Sequence, residues 1–141
     1  MSTSPLAIEP LKYQSSARGL AEPFLADVGE VFSALENIRN NEKLYQPGDS
    51  RPSSENVEWA KSVLLRVLPS RYLRGAEIEP FEGEIHATWE CEDKRVVVFF
   101  PRPSLLKAYY EQTTDGKVAF HDLKNCTPAS LSGILAWFFK K

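Results

Sequence analysis

The stretch Gly83-Glu84-Ile85-His86-Ala87-Thr88-Trp89-Glu90-Cys91-Glu92-Asp93-Lys94-Arg95-Val96-Val97-Val98-Phe99-Phe100-Pro101 decides the architecture. In its first half Ile85, Ala87, Trp89 and Cys91 alternate with Glu84, His86, Thr88, Glu90 and Glu92. The second half holds the apolar run Val96 to Phe100. Period two followed by a short apolar run predicts two paired strands at the centre of a sheet. With Asp93-Lys94 as the hairpin loop, Glu92 faces Arg95, Glu90 faces Val97 and Thr88 faces Phe99. On the other side Cys91, Trp89 and Ala87 face Val96, Val98 and Phe100. The later strand of this pair is then apolar on both of its faces.

Working outward, Ala76, Ile78 and Pro80 alternate with Glu77 and Glu79 and lead into a Phe81-Glu82-Gly83 turn, which predicts a preceding strand. Leu105 to Thr113 reads as a fourth strand, Asp115-Gly116 as a hairpin turn and Lys117 to Leu123 as a fifth. Such short connections permit only antiparallel pairing. Upstream, Phe24, Val28, Val31, Phe32, Leu35 and Ile38 recur three and four apart, predicting an amphipathic helix from Pro23 to Ile38 that ends near Asn40-Asn41. The polar segment Gln46 to Pro52 is a loop. Ser53 or Ser54 caps a second helix whose stripe of Val57, Trp59, Ala60, Val63, Leu64, Val67 and Leu68 is to be buried, and Pro69 ends it. Thr127-Pro128 opens a final helix through Leu131, Ile134, Leu135 and Phe138, with Lys140 and Lys141 at its negative end. The expected fold class is α+β: an antiparallel meander of four to five strands with two N-terminal helices and one C-terminal helix. Residues 1–18 show no sustained period and read as a flexible arm before a single domain, 19–141.

The 141 residues, 43% of them hydrophobic, suit one domain with one core. Only two cysteines are present, Cys91 and Cys126. With no leader-like segment near Met1, they point to a reducing cytoplasmic setting and free thiols. Alternation places Cys91 in the interior as a small apolar residue, whereas Cys126, before the helix cap, is expected to be partly exposed. No apolar run approaches the roughly 20 residues of a membrane-spanning helix. The net charge of -2 divides unevenly: residues 1–93 carry nine Lys/Arg against sixteen Asp/Glu, and residues 94–141 carry eight against three. Acidic and basic strands that pair account for such a split, and it also suits electrostatic steering of a partner.

If helices cover one side of the sheet only, Val97 and Phe99 stand uncovered beside Tyr109 and Phe120. Cover is expected from the first or final helix, from a second copy of the chain or from another protein. Trp137, Phe138 and Phe139 are consecutive, so they cannot all point to one side of a helix, and at least one is expected to be exposed or bound. Val97, Phe99, Tyr109, Phe120 and Trp137 are therefore the candidate partner-binding residues, with Glu84, His86 and Glu90 as a polar rim.

Catalytic motifs are absent. His86 and His121 have no Cys-x-x-Cys or helical His-x-x-x-His companion, so neither a metal nor another cofactor is expected. A Cys126 and His121 nucleophile pair lacks an orienting third group. The alternative enzyme reading is a small hydrolase or transferase using Glu84, His86 or Glu90, for which one carboxylate must be desolvated. A nucleic-acid reading rests on Arg71 and Arg74 around Tyr72, and on Lys107 near Tyr109 and Tyr110. The seven carboxylates from Glu77 to Asp93 oppose it.

The segment Leu64-Leu65-Arg66-Val67-Leu68-Pro69, followed by Gly83-Glu84-Ile85-His86-Ala87-Thr88-Trp89-Glu90 and a valine- and phenylalanine-rich strand, resembles small uncharacterised bacterial proteins with a helix, a proline and a G-x-I-x-x-x-W strand. The resemblance runs from about Trp59 to Phe120, and the chain departs from it by extra residues at both ends. Such proteins are similar to products of mobile elements and of toxin-antitoxin or defence loci, which implies an accessory or antitoxin-like partner and lends no active site. The expected function is a non-enzymatic protein-binding module engaging a protein partner or a second copy.

Overall fold

Helix α1 (Arg18–Asn40) buries Val31, Leu35 and Ile38, the C-terminal part of the apolar series that predicts it. It starts five residues before the predicted Pro23. Pro23 is the sixth residue of this helix, past the first four amides that have no intrahelical acceptor, so it removes one donor, the one for the carbonyl of Gly19. Residues 18–140 of this computed structural model are described, with side chains from Leu25 onward. The predicted arm therefore lies outside the described residues except for Arg18, which is the first residue of α1.

Ser53 caps α2 (Ser54–Lys61), its Oγ accepting the Asn56 amide at 3.0 Å. The helix then widens into a π-helical turn, Ser62–Val67, closed by the Leu68 amide on the Val63 carbonyl at 3.0 Å. The wider winding changes which side each residue faces. Val67, expected in the buried stripe, is consequently 52% exposed, while Leu68 is buried before Pro69 stops the helix. Lys61 with Glu36 and Arg39 with Glu58 tie α2 to α1. The lysine and arginine hydrogen bonds hold the Glu36 and Glu58 carboxyls below the usual carboxylate range. These pairs stabilise the fold above that range and lose their effect as pH falls through it, and their exposure keeps the effect small.

The sheet is a five-stranded antiparallel meander in the order β1 (Glu77–Phe81), β2 (Glu84–Glu90), β3 (Lys94–Phe100), β4 (Lys107–Thr114) and β5 (Lys117–Leu123). Two connections are two-residue turns with positive φ at both positions, Glu82-Gly83 and Asp115-Gly116. This mirror-image turn matches the strand twist, so a carboxylate residue followed by glycine suffices to close each hairpin. β4 begins two residues after the predicted Leu105, whose amide instead closes a turn on the Arg102 carbonyl at 3.1 Å.

The central hairpin differs from expectation by a slip of two residues. Glu90, not Glu92, pairs with Arg95, and Trp89 pairs with Val96. Cys91 to Asp93 make the connection, with the Cys91 amide bonded to the Lys94 carbonyl at 2.9 Å. A slip of two keeps every side chain on its expected face. It does, however, leave Cys91 exposed in the loop rather than in the interior; Cys126, expected to be partly exposed, is instead buried before α3, its amide held by the Leu106 carbonyl at 2.8 Å.

Both remaining layers meet on one face of the sheet. Ile85, Ala87, Trp89, Val96, Val98 and Phe100 are all at most 1% exposed there, packed against α1, α2 and the final helix α3 (Pro128–Phe139). Trp89 Nε1 donates to the Tyr72 carbonyl at 2.7 Å, and Asn56 Nδ2 donates to the Phe100 carbonyl at 2.7 Å. Asn56 is only 2% exposed. Asn56→Ala leaves that buried carbonyl without its donor, and urea unfolding should read a loss of about 1–3 kcal/mol.

Thr127 caps α3 through the Ser130 amide, with Pro128 in the first turn as predicted. Lys141 is outside the described residues, and the cation that closes the C-terminal end comes from β3. Lys94 Nζ donates to the carbonyls of Trp137 (2.8 Å) and Lys140 (3.0 Å) and sits 4.9 Å from the centre of the Trp137 ring. Lys94→Met should cost about 1–2 kcal/mol in the same assay, by removing both bonds and the charge at the negative helix end.

Candidate functional site

The other face of the sheet has no helix against it among the described residues. Alternation puts Glu77, Glu79 and Phe81 of β1 on this face, with Glu84, His86, Thr88 and Glu90 of β2 and Arg95, Val97 and Phe99 of β3. From the outer strands come Lys107, Tyr109 and Glu111, then Val118, Phe120 and Asp122. The register sets these in rows across the strands: Glu79, His86, Phe99, Lys107; Glu77, Thr88, Val97, Tyr109, Asp122; and Glu90, Arg95, Glu111, Phe120.

Aromatic groups run along this face in two clusters. His86 packs edge-on to Phe99 with ring centres 4.7 Å apart and touches Phe81 at 5.3 Å. Tyr109 stacks on Phe120 at 6.0 Å. Between the clusters Val97 is 7% exposed, shielded at the sheet centre by longer neighbours, while Phe99 and Tyr109 are half-buried and Phe120 is 63% exposed. The short Val97 side chain is hidden without a lid, and the rings around it remain accessible.

Polar groups frame the rings. Glu84 Oε1 lies 3.2 Å from His86 Nε2. Tyr109 donates its hydroxyl to Glu111 Oε1 at 2.7 Å, and that bond, with desolvation and the carboxylate charge, raises the phenol pKa. Tyr109 thus stays a protonated donor at neutral pH. Six carboxylates on this face, Glu77, Glu79, Glu84, Glu90, Glu111 and Asp122, outnumber the two cations Arg95 and Lys107. The face is therefore apolar in patches and negative in sum.

Four of the five candidate partner-binding residues, Val97, Phe99, Tyr109 and Phe120, come together here, as do the rim residues Glu84, His86 and Glu90. Trp137 does not. It lies in the helical layer behind the sheet, 5.3 Å from Tyr110 and beneath Lys94. Phe138 and Phe139 pack edge-on at 5.0 Å, and Phe139 stacks on Tyr72 at 5.8 Å. All three C-terminal aromatics are half-buried, so none has the exposure expected from their succession in sequence. Sequence reasoning also missed Phe81 and Val118, exposed at 55% and 54%, although strict alternation from Glu79 and from Phe120 places them on this face.

The alternative chemistries find little geometry. Clefts of about 410, 320 and 320 Å³ are lined by Leu44 to Ser50 with Pro80 to Glu82, by Arg71, Tyr72, Arg74 and Phe139, and by Cys91, Asp93, Lys94 and Phe138. None of them includes Glu84, His86 or Glu90. Burial raises the Cys126 thiol pKa, which opposes thiolate formation, and His121 stacks on Tyr110 at 4.9 Å. Among the described residues no three His, Cys, Asp or Glu side chains gather as a metal site would require. No described helix is long and apolar enough to cross a membrane. No family model, curated protein or solved structure matches this chain.

Proposed function

We propose that the protein is a non-enzymatic binding module whose uncovered sheet face engages another protein, in the accessory role that the resemblance to toxin-antitoxin and defence-locus proteins implies. The observation that carries this reading is the adjoining rows of His86 with Phe99 and Val97 with Tyr109, accessible rings around a shielded centre, on a face where no described helix packs. Accessible aromatics beside a compact apolar centre are the composition of an interface core, and the carboxylates make the surrounding rim. A partner for this face carries apolar side chains among lysines and arginines, because the rim is negative.

Phe99→Asp tests the reading. The tagged protein and the variant are compared for capture of a partner from the native host, with circular dichroism recorded on both. The expected result is loss of the captured protein from a variant that keeps its spectrum. Undiminished capture by the folded variant rejects this face as the binding surface.

A further inference from the structure

We propose that two copies of the chain join through β5, antiparallel about a two-fold axis at Phe120, so that two five-stranded sheets become one continuous sheet. The proposal rests on the reading of the open face as an interaction surface and names one occupant for its outer border.

The two borders of the sheet are built differently. At β1 the outward backbone positions are Ile78 and Pro80, because the tight turn makes Phe81 and Glu84 a bonded pair. Pro80 has no amide to offer, and the loop around Leu44 to Ser50 lies against Pro80 to Glu82. This border is blunted in two ways. β5 has neither protection. Its residues Lys117 to Asp122 are exposed on both faces, and no helix among the described residues packs closely on it. The Asp115-Gly116 turn makes Thr114 and Lys117 a bonded pair, so Val118, Phe120 and Asp122 direct their N–H and C=O groups away from β4. An edge of this kind accepts only an extended strand, since its donors and acceptors repeat at strand spacing.

The second copy fits because the edge is complementary to itself. Centred on Phe120, the antiparallel register sets Phe120 against Phe120 of the other copy and Val118 against Asp122, with about six backbone hydrogen bonds across the seam. Val118 and Phe120, 54% and 63% exposed in the single chain, both come to that seam, and each Phe120 brings its stacked Tyr109. Charge agrees as well: Lys117 and Asp122 stand at opposite ends of the strand, so antiparallel pairing places no like charges directly opposite. Such a seam lies at the small end of stable interfaces, about 1,200 Å² in total, and the weak limit for interfaces of such size is dissociation in the micromolar range.

Sedimentation equilibrium of the full chain at about 50 µM, well above that range, decides the matter. The wild type should read twice the chain mass. Val118→Pro removes an outward amide and spares the bonds to β4, so it should read one chain mass with an unchanged circular dichroism spectrum. Phe120→Lys and Phe120→Glu should each read one chain mass alone, and their equimolar mixture should return to twice that mass, which only a register facing residue 120 with itself provides. A wild type of single mass, a folded Val118→Pro variant of double mass, or a mixture that fails to recover overturns the proposal. If Val118→Pro does not fold, the lysine and glutamate pair alone decides. Phe99→Asp, two strands from the seam, keeps the double mass, so loss of its captured partner and loss of the dimer are separate readouts.

Discussion

Trp89→Ala should leave this protein barely folded, with about 3–5 kcal/mol lost in urea or thermal unfolding, a large share of a small domain's stability. Trp89 is 1% exposed on the covered face, opposite Val96, and its Nε1 is bonded to the Tyr72 carbonyl in the turn before β1. Truncation opens a cavity that close-packed neighbours fill only partly, and it strands a carbonyl whose donor is gone. Trp89→Phe separates the two contributions, since it retains most of the volume and loses only the bond. A smaller loss, of about 1–2 kcal/mol, is then expected. If Trp89→Ala costs less than about 1 kcal/mol, the helices do not pack on this face as described.

Phe99→Asp has the opposite profile, although Phe99 is only three residues beyond Val96, the partner of Trp89 in the neighbouring strand. Its ring is half-buried against His86 with no described layer above it, so a carboxylate there remains hydrated. Lys107 is its cross-strand partner on β4 and receives the new charge favourably. A stability loss of about 1–2 kcal/mol is expected from the lost ring contacts. The effect on binding is far larger: an Asp pressed into an interface centre is an unpaired buried charge, and at least about a hundredfold weaker association follows. Loss of stability comparable to that of Trp89→Ala would identify this face as core.

The contrast between these two residues also shows what could be read in advance. Period two from Ile85 to Trp89 and the two turn signals at Gly83 and Gly116 are local properties, and they predict the strands, their order and both faces. The hairpin register was less legible because Cys91 and Glu92 continue the alternation without forming strand, and only the bond between Cys91 and Lys94 places the bend. Cys91 was misplaced for the same reason, whereas Cys126 is buried through a contact with Leu106, a residue distant in sequence. Trp137 was placed with the open face because a helix's own pattern says nothing about which side of a sheet it will occupy. That choice is settled by the Tyr110 ring and the Lys94 ammonium, which belong to strands far away in sequence. The π-helical turn left no periodic sign at Val67, where a regular helix predicts burial and the wider winding brings exposure.

The Lys94 clamp has a consequence for the order in which the domain can mature. Leu131, Ile134 and Leu135 complete an interior otherwise furnished by elements made earlier, and the helix bearing them is fastened at Trp137 and Lys140 to the first residue of β3. A growing polypeptide on the ribosome therefore carries a meander roofed by α1 and α2 alone, with the α3 share of its hydrophobic floor open, until α3 has emerged from the exit tunnel. During that interval a chaperone has its best opportunity to bind, and a protease its best opportunity to cut.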